Sequence, residues 1–233
     1  MTTTDSAESI ADGRKQHLSL ARTLGLGLVA VLLALAFASL AGEMLEGDTR
    51  AFDMVLLRAA QSLRAGHPWV SEVARDFSGL GSTVVLTLFT AITVGYLALV
   101  STRTSALLVA ASAISGSICV SAFKAAFGRT RPDTAYAELV ATGLSFPSGH
   151  ATMSAVVFLT LGTLLASTRT VWIERIYILC AVALMTVLVG ASRIALGVHW
   201  ATDVVGGWAF GSAWAIAWLL LVSFIDRRRH RLR

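Results

Sequence analysis

Six uninterrupted apolar blocks, at 24–41, 82–100, 105–127, 151–166, 176–191 and 204–224, set the limits on what this chain can fold into. A helix needs about 20 apolar residues to cross a bilayer core. Inside that core every backbone N–H and C=O must find a partner within the protein, which helices achieve segment by segment. The chain is therefore expected to be all-α, a polytopic membrane protein with six transmembrane helices. With 55% of its residues apolar and no long polar linker or soluble module between blocks, one membrane domain should span 23–225. A tail at 1–22, polar, aperiodic and expected to be mobile as far as about Gln16, and a basic tail at 226–233 flank it. The first block reads as an anchor rather than a cleaved signal peptide. Cys119 and Cys180 fall inside apolar blocks, where a thiol acts as a small hydrophobe, so neither a disulfide nor a metal site is expected.

Segment 42–81 departs from this pattern. Phe52, Val55, Leu56, Ala59, Ala60 and Leu63 recur at helical spacing, while Asp53, Arg58, Gln61 and Ser62 fall largely elsewhere. That pattern predicts an interfacial helical section between helices one and two, either amphipathic at the membrane surface or a short packing helix. The small residues at 111–117 mark the third span as interior, and Gly207 with Gly211 makes a small contact face on the sixth.

The net charge of +5 resides mainly at the chain ends and between the blocks. Membrane orientation explains that placement, and no nucleic-acid partner is expected. Counting Lys and Arg beside the spans puts both termini in the cytoplasm, and 42–81, 128–147 and 192–203 on the outer face. Arg129, Arg131 and Arg193 run against this bias with few acidic neighbours in sequence, and binding an anion would account for them.

Three groups of chemically capable residues share that outer side. Lys124 ends the third span, and Arg131-Pro132 follows after six residues. Taken singly, Lys124 fits a snorkelling lysine equally well. Pro147-Ser148-Gly149-His150 opens the fourth span, where backbone N–H groups at a helix start, unobstructed at Gly149, favour negative charge. Ser148 would serve equally as an N-cap, and His150 as an ordinary interfacial histidine. The third group is Ser192-Arg193, five residues, His199, three residues, Asp203. With helical spacing Asp203 reaches one imidazole nitrogen, fixes the tautomer and leaves the other nitrogen free to attack an electrophile. Arg193 contributes a planar cationic fork suited to phosphate oxygens. At roughly 5% usage per residue type, eleven residues so spaced arise by coincidence well below about one time in a million.

These three groups resemble the signature motifs of the type 2 phosphatidic acid phosphatase superfamily, which includes bacterial lipid phosphatases and soluble vanadium haloperoxidases. The likeness covers about 124–203 with no departure at a signature position, and the six-span layout agrees. It implies that His199 attacks phosphorus and carries a phosphohistidine, with Asp203 holding its ring, while His150 protonates the leaving oxygen and later helps activate water. It further implies that Lys124, Arg131, Ser148, the Gly149 N–H and Arg193 bind the non-bridging oxygens. No cofactor and no metal are expected, because cationic side chains stand where a two-metal phosphatase would gather carboxylates.

The expected activity is hydrolysis, at the outer face of the cell (inner) membrane, of a lipid phosphomonoester or diphosphate of the phosphatidic acid or phosphatidylglycerophosphate type. Headgroup and tail selection should lie in 42–81 and along the spans. An undecaprenyl diphosphate phosphatase is the alternative within the enzyme class, and a catalytically silent lipid-binding or transport protein is the rival outside it. A vanadium peroxidase fits poorly, since those relatives are soluble. Partners are thus the lipid substrate and membrane lipids; Gly207 and Gly211 leave oligomeric state open.

Overall fold

The computed structural model describes residues 3–100 and 103–231, and the described chain is helical, with one long connection at 128–148. The helices are α1 (Thr3–Glu46), α2 (Arg50–Gly66), α3 (Trp69–Leu80), α4 (Thr83–Val100), α5 (Arg103–Phe127), α6 (Gly149–Ser167), α7 (Trp172–Ala195) and α8 (Ala201–Arg231), with a single 3-10 turn at Thr134–Tyr136. Among the described residues, six helical stretches are long and apolar enough to cross a membrane. One of them, Trp69–Val100, joins α3 to α4 through Gly81 and Ser82. The short turn expected between the second and third spans lies outside the described residues.

Helix α1 begins at Thr3, so the tail, expected to be aperiodic as far as about Gln16, is helical from there on. Hydrophobic period is not the only route to a helix: half of the residues at 3–22 are Ala, Leu, Arg, Glu, Lys or Gln, which favour helix individually. By the same reasoning α8 runs through the basic segment to Arg231.

Helix α6 is central and packs most extensively against α7 and α8. Without a hydrophobic drive between helices in lipid, close backbone approach supplies the association. A Cβ added at Gly211 would lie 2.8 Å from that of Ala155, and one added at Gly207 would lie 3.0 Å from that of Ala151. The small face of α8 is therefore used within the bundle, against α6.

Helix α1 lies along α8 and contributes Phe37, Ala41 and Met44 to a cluster with Phe146, Ala209 and Phe210. Phe146 is fully buried, stacked on Phe37 at 5.5 Å and edge-on to Phe127 at 5.2 Å. This clamp fixes the residue just before Pro147-Ser148-Gly149-His150. Rings in such offset or edge-to-face arrangements add about 0.5–1.5 kcal/mol per pair beyond area burial.

Between the first two spans, α2 inverts the usual amphipathic rule. Phe52, Val55 and Leu63 are exposed, whereas Asp53, Leu57 and Arg64 are buried. In a membrane protein the apolar stripe can face lipid and the polar residues can turn inward. Arg64 donates to the backbone oxygens of Ala195 and Tyr136 and pairs with Glu138 at 3.3 Å. It thus ties the 128–148 loop to the α7–α8 turn. In that turn Gly197 has φ +70°, and an added Cβ there would collide with the Tyr136 carbonyl, so glycine meets both the conformational and the steric demand. Helix α3 packs on α7 through Ser71, Ala74 and Ser78, a small-residue ridge at helical spacing.

Candidate active site

The three groups singled out from the sequence converge at one end of the bundle. Lys124 is on the last turn of α5, Arg131 in the following loop, and Ser148, Gly149 and His150 at the start of α6. Arg193 is on the last turn of α7, and Asp203 in the first turn of α8. His199 precedes α8 rather than belonging to it, since the helix starts at Ala201. The turn nevertheless keeps its Nδ1 3.1 Å from Asp203 Oδ2.

At the centre is the His199 imidazole, 2% exposed. Its Nε2 lies 3.0 Å from Arg131 Nη1. An arginine can only donate, so Nε2 must be the acceptor and Nδ1 must carry the proton given to Asp203. Burial pushes the ring down from its ordinary 6.5 to about 4, against the opposing pull of Asp203. The ring is therefore neutral at neutral pH, with its Nε2 lone pair available. Histidine-selective 15N spectra of the purified protein should show the Nδ1–H tautomer at His199 from about pH 5 to about pH 8. Protonation should follow only near pH 4; an Nε2–H tautomer, or a midpoint at 6.5 or higher, contradicts the assignment.

Asp203 is fully buried and accepts four hydrogen bonds. Oδ2 takes His199 Nδ1–H, the Trp200 N–H at 2.9 Å and the Ser145 hydroxyl, and Oδ1 takes Arg129 Nη1 at 2.6 Å. A carboxylate so saturated has a single orientation. Its backbone oxygen also receives the Ser148 N–H at 3.0 Å, coupling the start of α8 to that of α6.

Cations surround the imidazole. Arg131 also donates to Val198 O at 2.8 Å and to Gly143 O at 3.0 Å. Burial lowers its pKa, Asp203 opposes that, and guanidinium remains charged. Lys124 Nζ is 2.5 Å from Leu144 O and 3.3 Å from Ser145 O, so it pins the loop as well as supplying charge. Arg193 is held by the Ser78 hydroxyl of α3. His150 lies within electrostatic reach of Arg193, His199, Arg131 and Lys124.

Two buried polar atoms of this cluster have no protein partner: Ser148 Oγ and Arg193 Nε. Ser148 sits at the N-cap position of α6 but its side chain makes no capping bond, so the capping role is not the one it fills. Leaving such groups buried and unsatisfied costs about 1–3 kcal/mol each unless something else bonds them. Donors of this kind, together with the N–H groups opening α6, suit an anion.

Several contributors were not legible from the sequence. Ser145, Thr202 and Ser78 are ordinary hydroxyl residues in apolar surroundings, and Asp53 looked like part of a solvated face. Arg129, expected to face an anion, is instead bonded at 2.6 Å to each of two carboxylates, Asp53 and Asp203. The motif neighbourhood of Ser145, two residues before Pro147, was the one signal available for it.

An apolar crevice of about 660 Å³ runs from this site between α4, α5 and α6. Lys124, Gly149 and His150 line its upper end, and Ala91, Ala113 and Met153 lie deeper.

Six apolar helices bearing an aspartate-held imidazole in a cationic cup define a multi-pass membrane protein equipped for chemistry on an anionic group. The PAP2 superfamily model matches residues 105–227. Phosphatidylglycerophosphatase B of Bacillus subtilis (strain 168) is 31% identical over 208 residues, covering 87% of this chain and 97% of the relative. Undecaprenyl-diphosphatase of Sulfolobus acidocaldarius is 42% identical over 71 residues, or 30% of each protein. The crystal structure of a transmembrane PAP2-type phosphatidylglycerolphosphate phosphatase from Bacillus subtilis superposes with a TM-score of 0.75 at 29% identity, covering 88% of this chain and 98% of that one. The chain belongs to the PAP2 superfamily, and its relatives make it a membrane phosphatase.

Proposed function

We propose that this protein hydrolyses a lipid phosphomonoester or diphosphate through a phosphohistidine on His199, without a metal, at the outer face of the cell membrane. The observation that carries the reading is that Arg131 meets the His199 Nε2 lone pair while Ser148 Oγ and Arg193 Nε, both buried, lie in the same cluster without partners. A phosphoryl group entering the cup would take Arg131 from Nε2 and satisfy Ser148 Oγ and Arg193 Nε. Lys124, Arg131, Arg193, Ser148 and the Gly149 N–H would hold its non-bridging oxygens as charge develops. His199 would attack in line, giving a cationic N-phosphorylated ring that Asp203 stabilises. His150 would give its proton to the leaving oxygen and then take one from the hydrolytic water.

The donor set supports metal independence: the phosphate seat is cationic, and the nearest carboxylate, Asp203, is occupied by its four donors. Even-numbered crossings return α8 to the end where α1 starts, and the basic segment of α8 supports a cytoplasmic location for both. Released phosphate should continue in excess EDTA and be inhibited by vanadate. Loss of turnover on chelation, restored by a divalent ion, would overturn the metal-free scheme.

The crevice supports a lipid substrate, because it joins the space between helices to the cup. The similarity to phosphatidylglycerophosphatase B favours a phosphatidylglycerophosphate-type lipid; the shorter match to undecaprenyl-diphosphatase keeps a polyprenyl diphosphate as the second reading. Relative kcat/KM for the two lipids decides between them. Overpacking an occupied slot costs about 1–3 kcal/mol. Ala113→Phe, which narrows the crevice, should therefore lower kcat/KM for the long-chain lipid roughly 5- to 150-fold, while a short soluble phosphate ester is turned over as before. Equal loss on both substrates would count against the crevice as the tail's route.

A further inference from the structure

Asp203, the residue that orients His199, is itself held by something the chemistry above does not use. Arg129 Nη1 donates to Asp203 Oδ1 at 2.6 Å and to Thr202 Oγ1 at 2.7 Å. Its Nη2 donates to Asp53 Oδ2 at 2.6 Å, with Thr49 Oγ1 at 3.4 Å. Asp53, from α2, is 1% exposed and also receives the Thr202 N–H at 2.9 Å and the Thr202 hydroxyl at 2.7 Å. One half-buried cation thus bridges two buried carboxylates, and the second is about 150 residues away along the chain from the site it supports.

Why should the site need the second carboxylate? A bond from Arg129 alone would aim Asp203 but also draw on its negative charge, and that charge is what must support the cationic ring once His199 is phosphorylated. Asp53 offsets Arg129 from the far side. The fork of Arg129 is filled by protein acceptors, so it is not turned toward an incoming anion.

We propose that Arg129 and Asp53 form a positioning pair, in which Arg129 fixes the direction of the Asp203 carboxylate and Asp53 keeps that carboxylate's charge available to His199. The segment between the first two spans is on this account part of the catalytic apparatus, acting through Asp203 rather than on the substrate. The inference rests on His199 being the nucleophile.

The charged and titratable groups facing His199 are Asp203 from α8, Lys124 from α5, Arg131 from the loop and His150 from α6. Arg129 and Asp53 act on it only through Asp203, which makes the expected signs specific. Asp53→Asn leaves the Arg129 charge unbalanced, so the His199 ring should titrate at lower pH. Arg129→Gln leaves Asp53 unbalanced, so the ring should titrate at higher pH. The double variant should return close to wild type. Loss of an outer partner of an oriented histidine costs roughly 10–100-fold in activity. Each single variant should show that loss in kcat with KM little changed.

The experiment is a histidine 15N titration together with steady-state kinetics on the full-length protein in detergent micelles. Shifts of opposite sign, cancelling in the double variant, establish the pair. Shifts of the same sign, no shift, multiplicative losses in the double variant or a loss confined to KM overturn it. Arg129→Lys keeps the charge without the bridging fork, and replaces Arg129→Gln if that variant does not fold. It should lower kcat with the His199 midpoint unmoved, and a moved midpoint would contradict the division of labour. His199→Ala separates the two proposals. Full activity there removes the nucleophile reading itself, whereas an inactive His199→Ala beside additive Asp53 and Arg129 effects removes only the pair.

Discussion

His199→Ala should lower kcat by about a millionfold, the scale seen when the nucleophile of a covalent mechanism is deleted. The substitution removes the atom that would accept phosphorus, so both half-reactions are lost together. The cup of Lys124, Arg131, Arg193 and Ser148 remains, and binding should persist: KM, or the inhibition constant for vanadate, should change far less than kcat. The protein should still fold, because Asp203 keeps three of its four donors, Ser145, Trp200 N–H and Arg129. Phosphate release by purified variant and wild type, with helix content and elution position compared, is the measurement. A variant retaining a tenth or more of wild-type turnover (about 1.4 kcal/mol in the barrier) would be incompatible with His199 as nucleophile.

Asp203→Asn is nearly isosteric, yet the expected loss is about 10⁴-fold, the magnitude found for the equivalent change in a serine-protease triad. Every group facing this carboxylate is a donor: His199 Nδ1–H, Ser145 O–H and Trp200 N–H on one oxygen, Arg129 on the other. An amide can accept on one side only. Turning its NH2 toward Arg129 places donors face to face in a buried site. Turning it toward His199 forces Nδ1 to accept, which moves the ring proton to Nε2 and removes the attacking lone pair. The second orientation disables the imidazole, and the first leaves its tautomer but removes the negative charge that supports the cationic ring; the 15N spectrum should report the exchange of tautomer in the second. Loss of kcat without any change at the ring nitrogens would mean that Asp203 acts otherwise than by orientation.

The parts of the fold that showed in the sequence are those with a local signal. Apolar block length fixed six spans, because the bilayer permits few alternatives. Helix ends did not show: α1 reaches Thr3 and α7 starts at Trp172, since polar and interfacial residues extend a helix without adding to an apolar block. For α2 the helical period was correct, but the environment on each side was opposite to that of a soluble protein. Phe52, Val55 and Leu63 face outward, and Asp53 and Arg64 stand inside beside Leu57.

The site divides along the same line. Lys124, Arg131, Ser148, Gly149, His150, Arg193, His199 and Asp203 stand in three short spaced groups, and the structure gathers them at one end of the bundle. Their supports carry no such mark. Arg129 stands 76 residues from Asp53 and 74 from Asp203, and Arg193 stands 115 from Ser78. Pairing over such separations is created by packing, here by α2 and α3 lying on α7 and α8. Arg129 illustrates the consequence: few carboxylates adjoin it in sequence, yet in the fold it has two.

The most direct test of the account is the covalent intermediate. Enzyme mixed with 32P-labelled lipid substrate, quenched within a single turnover and digested under alkaline conditions, should yield one acid-labile, alkali-stable labelled peptide, with the phosphate on His199. The same trapping in Asp203→Asn should give little or none. Label on another residue, or phosphate released in the first turnover with no protein-bound label at any quench time, would contradict the central claim.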